Sequence, residues 1–313
     1  MNRILIIKLG ALGDVIMATP LIRLIQSHHA DRRCVLLTSD SFAPLFADWR
    51  GLEVESFPRR GVGALLDALR WIRRGGFARI YDLQSNDRSG VLCALSGCEV
   101  RAGNHPRFPY THHPASAWRG QSHIFERMLE VLRAAGVDGP PGPPALPATE
   151  ADRAAVRAWL AERGLHDTPV IVVHAGASPA HPEKRWAGFA ELCGALRGRG
   201  VATIALGTDE DAAINRRLAE AGAIDATGRF TLPQLAELGR YARAAVTNDS
   251  GPMHVLSCAG VPVYGLFGPT DWRRNHAIDQ ADHIIAAGPV PTPLSALSPE
   301  TVLRRLKADG LID

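Results

Sequence analysis

The chain has 313 residues, of which 46% are hydrophobic and 21% charged, with a formal net charge of +3. This composition excludes a disordered protein, and the length predicts two domains, each with its own core. The five cysteines include no C-x-x-C pair, which argues against zinc and a disulfide framework and favours a reducing cytoplasm.

The charge is unevenly placed along the chain. Residues 1–165 carry 21 Lys and Arg against 16 Asp and Glu, whereas the remainder carries 14 against 16. The first half is therefore the better partner for an anionic acceptor or a membrane surface, and no nucleic-acid partner is expected. Only three basic residues are lysines, which draws attention to them: Lys8, Lys184 and Lys307.

The first half is predicted to alternate strands and helices. Residues 3–8 (RILIIK) form an apolar strand that ends in a glycine-containing turn, and a helical pattern follows. Further strands are predicted at residues 34–38 and 77–83, and helices at 62–73 and 121–135.

A linker with five prolines and two glycines covers residues 138–147, and a second α/β series follows it. Strands are predicted at residues 170–174, 201–206, 244–248 and 261–267, and helices at 150–163, 186–197, 209–221, 252–259 and 299–308. We therefore predict an α/β protein with domains at residues 1–149 and 150–313 and a ligand cleft between them.

The first candidate loop delivers Asp14 to the start of a helix. It is neither a G-x-G-x-x-G fingerprint nor a phosphate-binding P-loop. An ionised carboxylate there can accept a proton from an attacking hydroxyl, although a plain helix N-cap explains the residue equally well.

The second candidate is the turn His174–Ser178 with the following Glu183–Trp186 segment. Small residues such as Gly176 let backbone N–H groups approach a phosphate, and Lys184 supplies charge. Trp186 is predicted to be a core residue.

The third candidate is Thr247–His254, where Asp249 is predicted to cap a helix that has Pro252 at its first position. Ser250 and Gly251 then present a hydroxyl and an open N–H to an anion. His254 is one turn further in and is more often a satisfied buried histidine.

Two weaker loops lie at the same edge of the predicted sheet. The Gly268–Asp271 turn places Thr270 there. Asp209 and Asp211 open a helix, which favours capping, but either can hold a ribose diol instead.

Together these loops resemble the ADP-heptose:lipopolysaccharide heptosyltransferases, glycosyltransferase family 9. The resemblance covers almost the whole chain and depends on the order and spacing of five segments: KLGALGDVIMATP, YDLQ, EKRW, NDSGPMH and FGPTD. It implies a GT-B fold, with two Rossmann-like domains and a last helix that crosses back to the first.

The resemblance further implies an inverting, metal-independent transfer, without a cofactor, from a nucleotide-diphospho-heptose to a lipid-linked glycan. The enzyme would be cytoplasmic, with peripheral contact to the inner membrane. By position, Asp14 matches the general base, and the donor site comprises Lys184, Asp211, Asp249, Ser250, Gly251, His254, Gly176 and Thr270. Asp211 stands where the family usually has Glu. Arg59, Arg60, Gln84 and Arg88 are candidates for the acceptor.

Two other interpretations stay open at the sequence level. A sugar-nucleotide epimerase of the same twin-domain fold would isomerise its substrate without any acceptor. A non-catalytic nucleotide-binding module would bind without turnover.

Overall fold

The computed structural model describes residues 3–116, 122–165 and 168–313. The chain divides into two compact units, Met1–Pro147 and Ala148–Asp313, two residues before the boundary placed on the sequence.

The first unit is a five-stranded, fully parallel sheet in the order β3-β2-β1-β4-β5. Its central strands are continuous apolar runs because helices cover both faces of such sheets. Its elements are β1 Arg3–Ile7, α1 Leu12–His28, β2 Arg33–Ser39, β3 Leu52–Phe57, α2 Val62–Arg74, β4 Phe77–Asp82, α3 Asp87–Leu95, β5 Val100–Ala102 and α4 Ile124–Ala134.

The second unit is a six-stranded parallel sheet in the order β11-β10-β9-β6-β7-β8. Its elements are α5 Glu150–Ala161, β6 Val170–His174, α6 Phe189–Arg197, β7 Ala202–Gly207, α7 Ala212–Glu220, β8 Ile224–Thr227, α8 Leu232–Gly239, β9 Ala244–Asn248, α9 Gly251–Ser257, β10 Val263–Phe267, α10 Trp272–Asn275, β11 Ile284–Ala286 and α11 Pro299–Ala308. The predicted fold, with a parallel sheet in each half, is confirmed.

The sequence pattern missed β3, β5, β8 and β11. β3 and β8 carry acidic residues and are only partly buried, because each lies at an edge of its sheet. β5 and β11 have three residues each and are also edge strands. A partly solvated or very short strand lacks the continuous apolar run by which the central strands were predicted.

Three helices begin three residues later than predicted, and the other predicted helix boundaries differ by at most two residues. α6 begins at Phe189 rather than at residue 186, because residues 182–184 form a short 3-10 turn. The helix predicted from 209 starts with another 3-10 turn at 209–211. The helix predicted from Gln121 is observed from Ile124, and Gln121 itself lies outside the described residues.

The last helix, α11, packs against α6 and places Val302 and Leu306 in the core of the second unit. Its crossing toward the first unit stays a prediction. In the part of the chain that the structure covers, no helix has both the length and the apolar character to span a membrane.

Candidate active site

The loops that follow neighbouring strands carry the polar residues in both units. In the first sheet Ile7 pairs with Asp82, so the turns after β1 and β4 adjoin. In the second sheet His174 pairs with Leu206 and with Thr247, so the turns after β6, β7 and β9 adjoin. Parallel sheets bind ligands at this carboxyl edge.

Asp14 is the third residue of α1, and the N-cap position is held by Ala11, which makes no side-chain cap. The interpretation of Asp14 as a plain N-cap is therefore wrong. Its side chain is 30% exposed. It lines a cavity of about 160 Å³ together with Lys8, Gln84 and Asn104. The carboxylate is thus accessible, and it lies near the positive end of a 17-residue helix.

Lys8 is buried beside this carboxylate. Its Nζ lies 3.6 Å from Asp14 Oδ2 and donates to the carbonyl of Leu83 at 3.1 Å. Burial lowers the pKa of Lys8, and the carboxylates of Asp14 and Asp82 act in the opposite direction. The lysine is therefore a fixed partner of Asp14, because its ammonium group has almost no contact with solvent.

Gln84 fixes the loop that carries these groups. Its Oε1 accepts hydrogen bonds from the N–H groups of Leu9 at 2.9 Å and Gly10 at 3.1 Å. Gly10 has φ +142°, and a β-carbon there would lie 2.9 Å from the ring of Phe42. The Gln84 amide oxygen therefore holds the loop before Asp14, and binding of the acceptor by Gln84 stays a prediction.

Asp82 is a buried acid that the sequence analysis did not single out. Its Oδ1 accepts from the N–H groups of Gln84 at 3.0 Å and Ser85 at 2.8 Å, and Tyr110 donates to Oδ2. Burial raises its pKa. Asp82 therefore stabilises the turn that contains Gln84. Its position in YDLQ, at the end of a strand, is the sequence feature from which this role could have been predicted.

The three predicted acceptor arginines differ in their contacts. Arg88 donates to the carbonyls of Gly61 at 3.2 Å and Pro58 at 3.4 Å, so it supports the segment that contains Arg59 and Arg60. Arg59 reaches the loop before Asp14, since a β-carbon at Gly10 would lie 3.4 Å from its Nη1. Arg60 is exposed. Arg59 is therefore the one whose contacts bring it to the Asp14 loop.

In the second unit, the carboxylate of Asp249 contacts three donor groups. Lys184 Nζ lies 2.6 Å from Oδ2, Thr270 Oγ1 donates to the same oxygen at 2.8 Å, and Asn275 Nδ2 donates to Oδ1 at 3.0 Å. The Asp249 side chain is 5% exposed, whereas that of Lys184 is 17% exposed. Asp249 thus holds Lys184 and Thr270 in place, and the ammonium is the more accessible group.

Asn248 was not predicted as a site residue, but it connects the segments around the Lys184–Asp249 pair. It is completely buried. Its Nδ2 donates to the carbonyls of Ala175 at 2.8 Å and Gly176 at 3.2 Å, and its Oδ1 accepts from the N–H of Trp186 at 3.2 Å. The predicted core position of Trp186 is confirmed, since only 4% of it is exposed.

Ser250, not Asp249, is the N-cap residue of α9, which corrects the predicted cap. Its hydroxyl lies 3.1 Å from His174 Nδ1 and makes no side-chain cap. α9 has only seven residues and begins at Gly251. Its dipole is therefore small, and Lys184 is the stronger source of positive charge. His254 is buried within this helix, as predicted.

Asp211 forms a capping box with Thr208, whose N–H donates to Oδ2 at 3.1 Å. The capping interpretation is confirmed. A β-carbon at Gly176 would lie 2.3 Å from Asp211 Oδ1, so this glycine makes room for the carboxylate. His174 Nε2 lies 4.0 Å from Asp211 Oδ2, and burial holds the pKa of His174 below its usual range.

A small pocket of about 80 Å³ lies at the same edge. Its walls combine apolar side chains with two polar residues, His174 and Thr208. The apolar part includes Leu206, Ala226, Phe230 and Leu235. Apolar walls with a few polar groups are typical of ligand pockets. Within the described ranges, no group of three His, Cys, Asp or Glu side chains could hold a metal ion.

A model of glycosyltransferase family 9 (heptosyltransferase) matches residues 66–293. Lipopolysaccharide heptosyltransferase 3 of Escherichia coli is 22% identical over 290 residues, covering 83% of each chain. The structure of a family 9 glycosyl transferase from Veillonella parvula DSM 2008 has a TM-score of 0.84 at 23% identity, covering 98% of this chain and 96% of that one. That of E. coli ADP-heptose LPS heptosyltransferase II has a TM-score of 0.77 at 22% identity, covering 98% of each.

Proposed function

The chain belongs to glycosyltransferase family 9, and we propose that it transfers heptose, or a similar sugar, from ADP-heptose to a lipopolysaccharide core or related glycan, with inversion. The observation that carries the proposal is an accessible acid in one unit and an accessible lysine in the other, each fixed by a buried partner of opposite charge. The ADP donor is supported by the name of the E. coli heptosyltransferase II structure.

The second unit, by this proposal, binds the nucleotide sugar. Lys184 approaches the diphosphate, with Ser250, Gly251 and Thr270 beside it. The apolar pocket next to His174 receives the base, and Asp211 contacts the ribose. A low pKa keeps His174 neutral at physiological pH, so Lys184 rather than His174 supplies positive charge for the diphosphate.

The first unit binds the acceptor, and Asp14 acts as the general base. It takes the proton from the acceptor hydroxyl while that oxygen forms a bond to the anomeric carbon. The bond from this carbon to the diphosphate breaks on the opposite side, which inverts the configuration. Lys184 offsets the charge that develops on the leaving diphosphate.

The acceptor is proposed to be a lipid-linked, anionic glycan, with Arg59 and Arg60 on its phosphate or acid groups. Both side chains are exposed, and Arg59 reaches the loop before Asp14. An acceptor of this kind places the enzyme in the cytoplasm, in peripheral contact with the inner membrane.

The test is an assay of purified protein with ADP-heptose and lipopolysaccharide core that lacks the terminal heptose. We expect ADP release to depend on the acceptor, and an anomeric configuration in the product opposite to that of the donor by NMR. Isomerised donor without any acceptor would support an epimerase, and ADP binding without turnover would support a nucleotide-binding module. Retained configuration would refute the direct displacement.

A further inference from the structure

Exposed apolar side chains concentrate in one region of the first unit. Among the described residues, seven large hydrophobic side chains are exposed, and two of them, Tyr241 and Val290, belong to the second unit. The other five are Val62, Leu66, Val91, Leu95 and Phe108, here called the apolar face. Val62 and Phe108 expose 74% and 75% of their surface. Burying such side chains in an apolar medium is favourable, and their clustering marks an interaction surface.

Contacts between α2, α3 and the loop of Phe108 connect the members of the apolar face. α2 packs against α3, and Arg88 of α3 donates a hydrogen bond to the carbonyl of Gly61, which directly precedes Val62. Val91 follows Arg88 by three residues and Leu95 follows Val91 by four, so all three lie on one side of α3. Val91 and Phe108 line the same groove, of about 550 Å³. The face therefore runs from the start of α2 across α3 to the loop of Phe108.

The surroundings of the apolar face are basic. Residues 59–74 contain five arginines and one acid, Asp67, which pairs with Arg70 at 2.8 Å. Arg60 and Arg107 are exposed at the two ends of the face, and Asp87 is the exposed acid beside the groove. This charge attracts an anionic surface and repels a second copy of the same face.

We infer that the apolar face docks on a bilayer that contains anionic lipids, with its side chains at the acyl boundary and neighbouring arginines such as Arg107 on headgroup phosphates. The groove beside it shares Ser85 and Asn104 with the cavity that contains Asp14. A membrane-held acceptor would thus reach the catalytic candidate from the docked side. Only this last link rests on the proposed function, since docking itself needs no transfer activity.

Sedimentation with vesicles tests the inference directly. Wild-type protein is expected to bind phosphatidylcholine vesicles that contain phosphatidylglycerol, more weakly at high salt, and to bind pure phosphatidylcholine poorly. The variant Val62→Gln/Leu66→Gln/Leu95→Gln should bind on the order of tenfold or more weakly, because each lost apolar side chain removes surface buried in the bilayer. Tyr241→Gln/Val290→Gln is the matched control and should bind like wild type.

Three outcomes would overturn the inference: no binding of wild type to the anionic vesicles, equal weakening in the control variant, or a wild-type dimer in light scattering that the triple variant abolishes. Circular dichroism and ADP titration of the triple variant should match wild type, which excludes a folding defect. Transfer to a delipidated, water-soluble acceptor should also be unchanged. Failure of that transfer in wild type, with vesicle binding intact, would count against the proposed function and leave docking standing.

Discussion

Each unit contains a lysine–aspartate ion pair, but the buried member is the lysine in the first unit and the aspartate in the second. In the first unit the lysine is the buried member, at 2% exposure, and Asp14 is the accessible one at 30%. In the second unit the acid is buried, at 5%, and Lys184 is accessible at 17%. The difference suits the two proposed tasks, because accepting a proton needs an accessible carboxylate and binding a diphosphate needs an accessible cation. In each unit the buried partner holds the accessible group in place.

The largest effect is expected from Asp14→Asn. We expect transfer to fall by roughly 10²–10⁴-fold, the usual contribution of a positioned acid or base. ADP affinity should hardly change, because the second unit is untouched. Steady-state kinetics and calorimetric titration with ADP measure the two effects. Wild-type rates in a folded variant would remove Asp14 from the mechanism.

Lys184→Ala should weaken ADP binding on the order of tenfold to more than a hundredfold, since a charge-assisted contact is worth about 1.5–3 kcal/mol. Lys184→Arg should restore only part of this, because the planar guanidinium differs in shape from the compact ammonium.

Asp249 provides a control for this prediction. With Lys184 gone, its carboxylate is left near the phosphates, so Lys184→Ala/Asp249→Asn should bind ADP more tightly than Lys184→Ala alone. Calorimetric titration compares the proteins. Equal affinities in all of them would make Lys184 a surface charge without a role in binding.

The buried partner in the first unit should matter for stability. Lys8→Met leaves the buried carbonyl of Leu83 without its donor, at a cost of about 1–3 kcal/mol in the free energy of unfolding. Lys307→Met, at an exposed position, is the matched control. Urea unfolding followed by circular dichroism compares them, and equal stability of the two variants would contradict a stabilising role for the hydrogen bond from Lys8 to Leu83.

The smallest effect is expected from removal of metal ions. Transfer should persist in excess EDTA, because Lys184 offsets the leaving-group charge that Mg²⁺ or Mn²⁺ neutralises in metal-dependent enzymes. Asp209 and Asp211 form an Asp-x-Asp pattern, which binds the metal ion in metal-dependent glycosyltransferases, but Asp211 is already used in the capping box with Thr208. Loss of activity in EDTA, restored by Mn²⁺ and abolished in Asp209→Ala/Asp211→Ala, would overturn this expectation.

Local patterns in the sequence determined much of the fold and the positions of the candidate residues. Continuous apolar runs located the central strands, such as β6 and β9, because strands covered on both faces contain few polar residues. The turns at Asp14, Lys184 and Asp249 follow strands, so their place at the carboxyl edge could be predicted. The capping role of Asp211 could also be predicted from the sequence, because a capping box joins residues three positions apart.

The tertiary structure alone decided which groups touch. Asp249 and Lys184 are 65 positions apart and meet only because β9 lies beside β6, an order that no local pattern encodes. Asn248 and Asp82 look like ordinary polar residues at strand ends. The tertiary structure brings Ala175, Gly176 and Trp186 to Asn248, and it brings Tyr110 to Asp82. The exposures of Lys8 and Asp14 follow from the same cause, since burial depends on what packs above a side chain rather than on its neighbours along the chain.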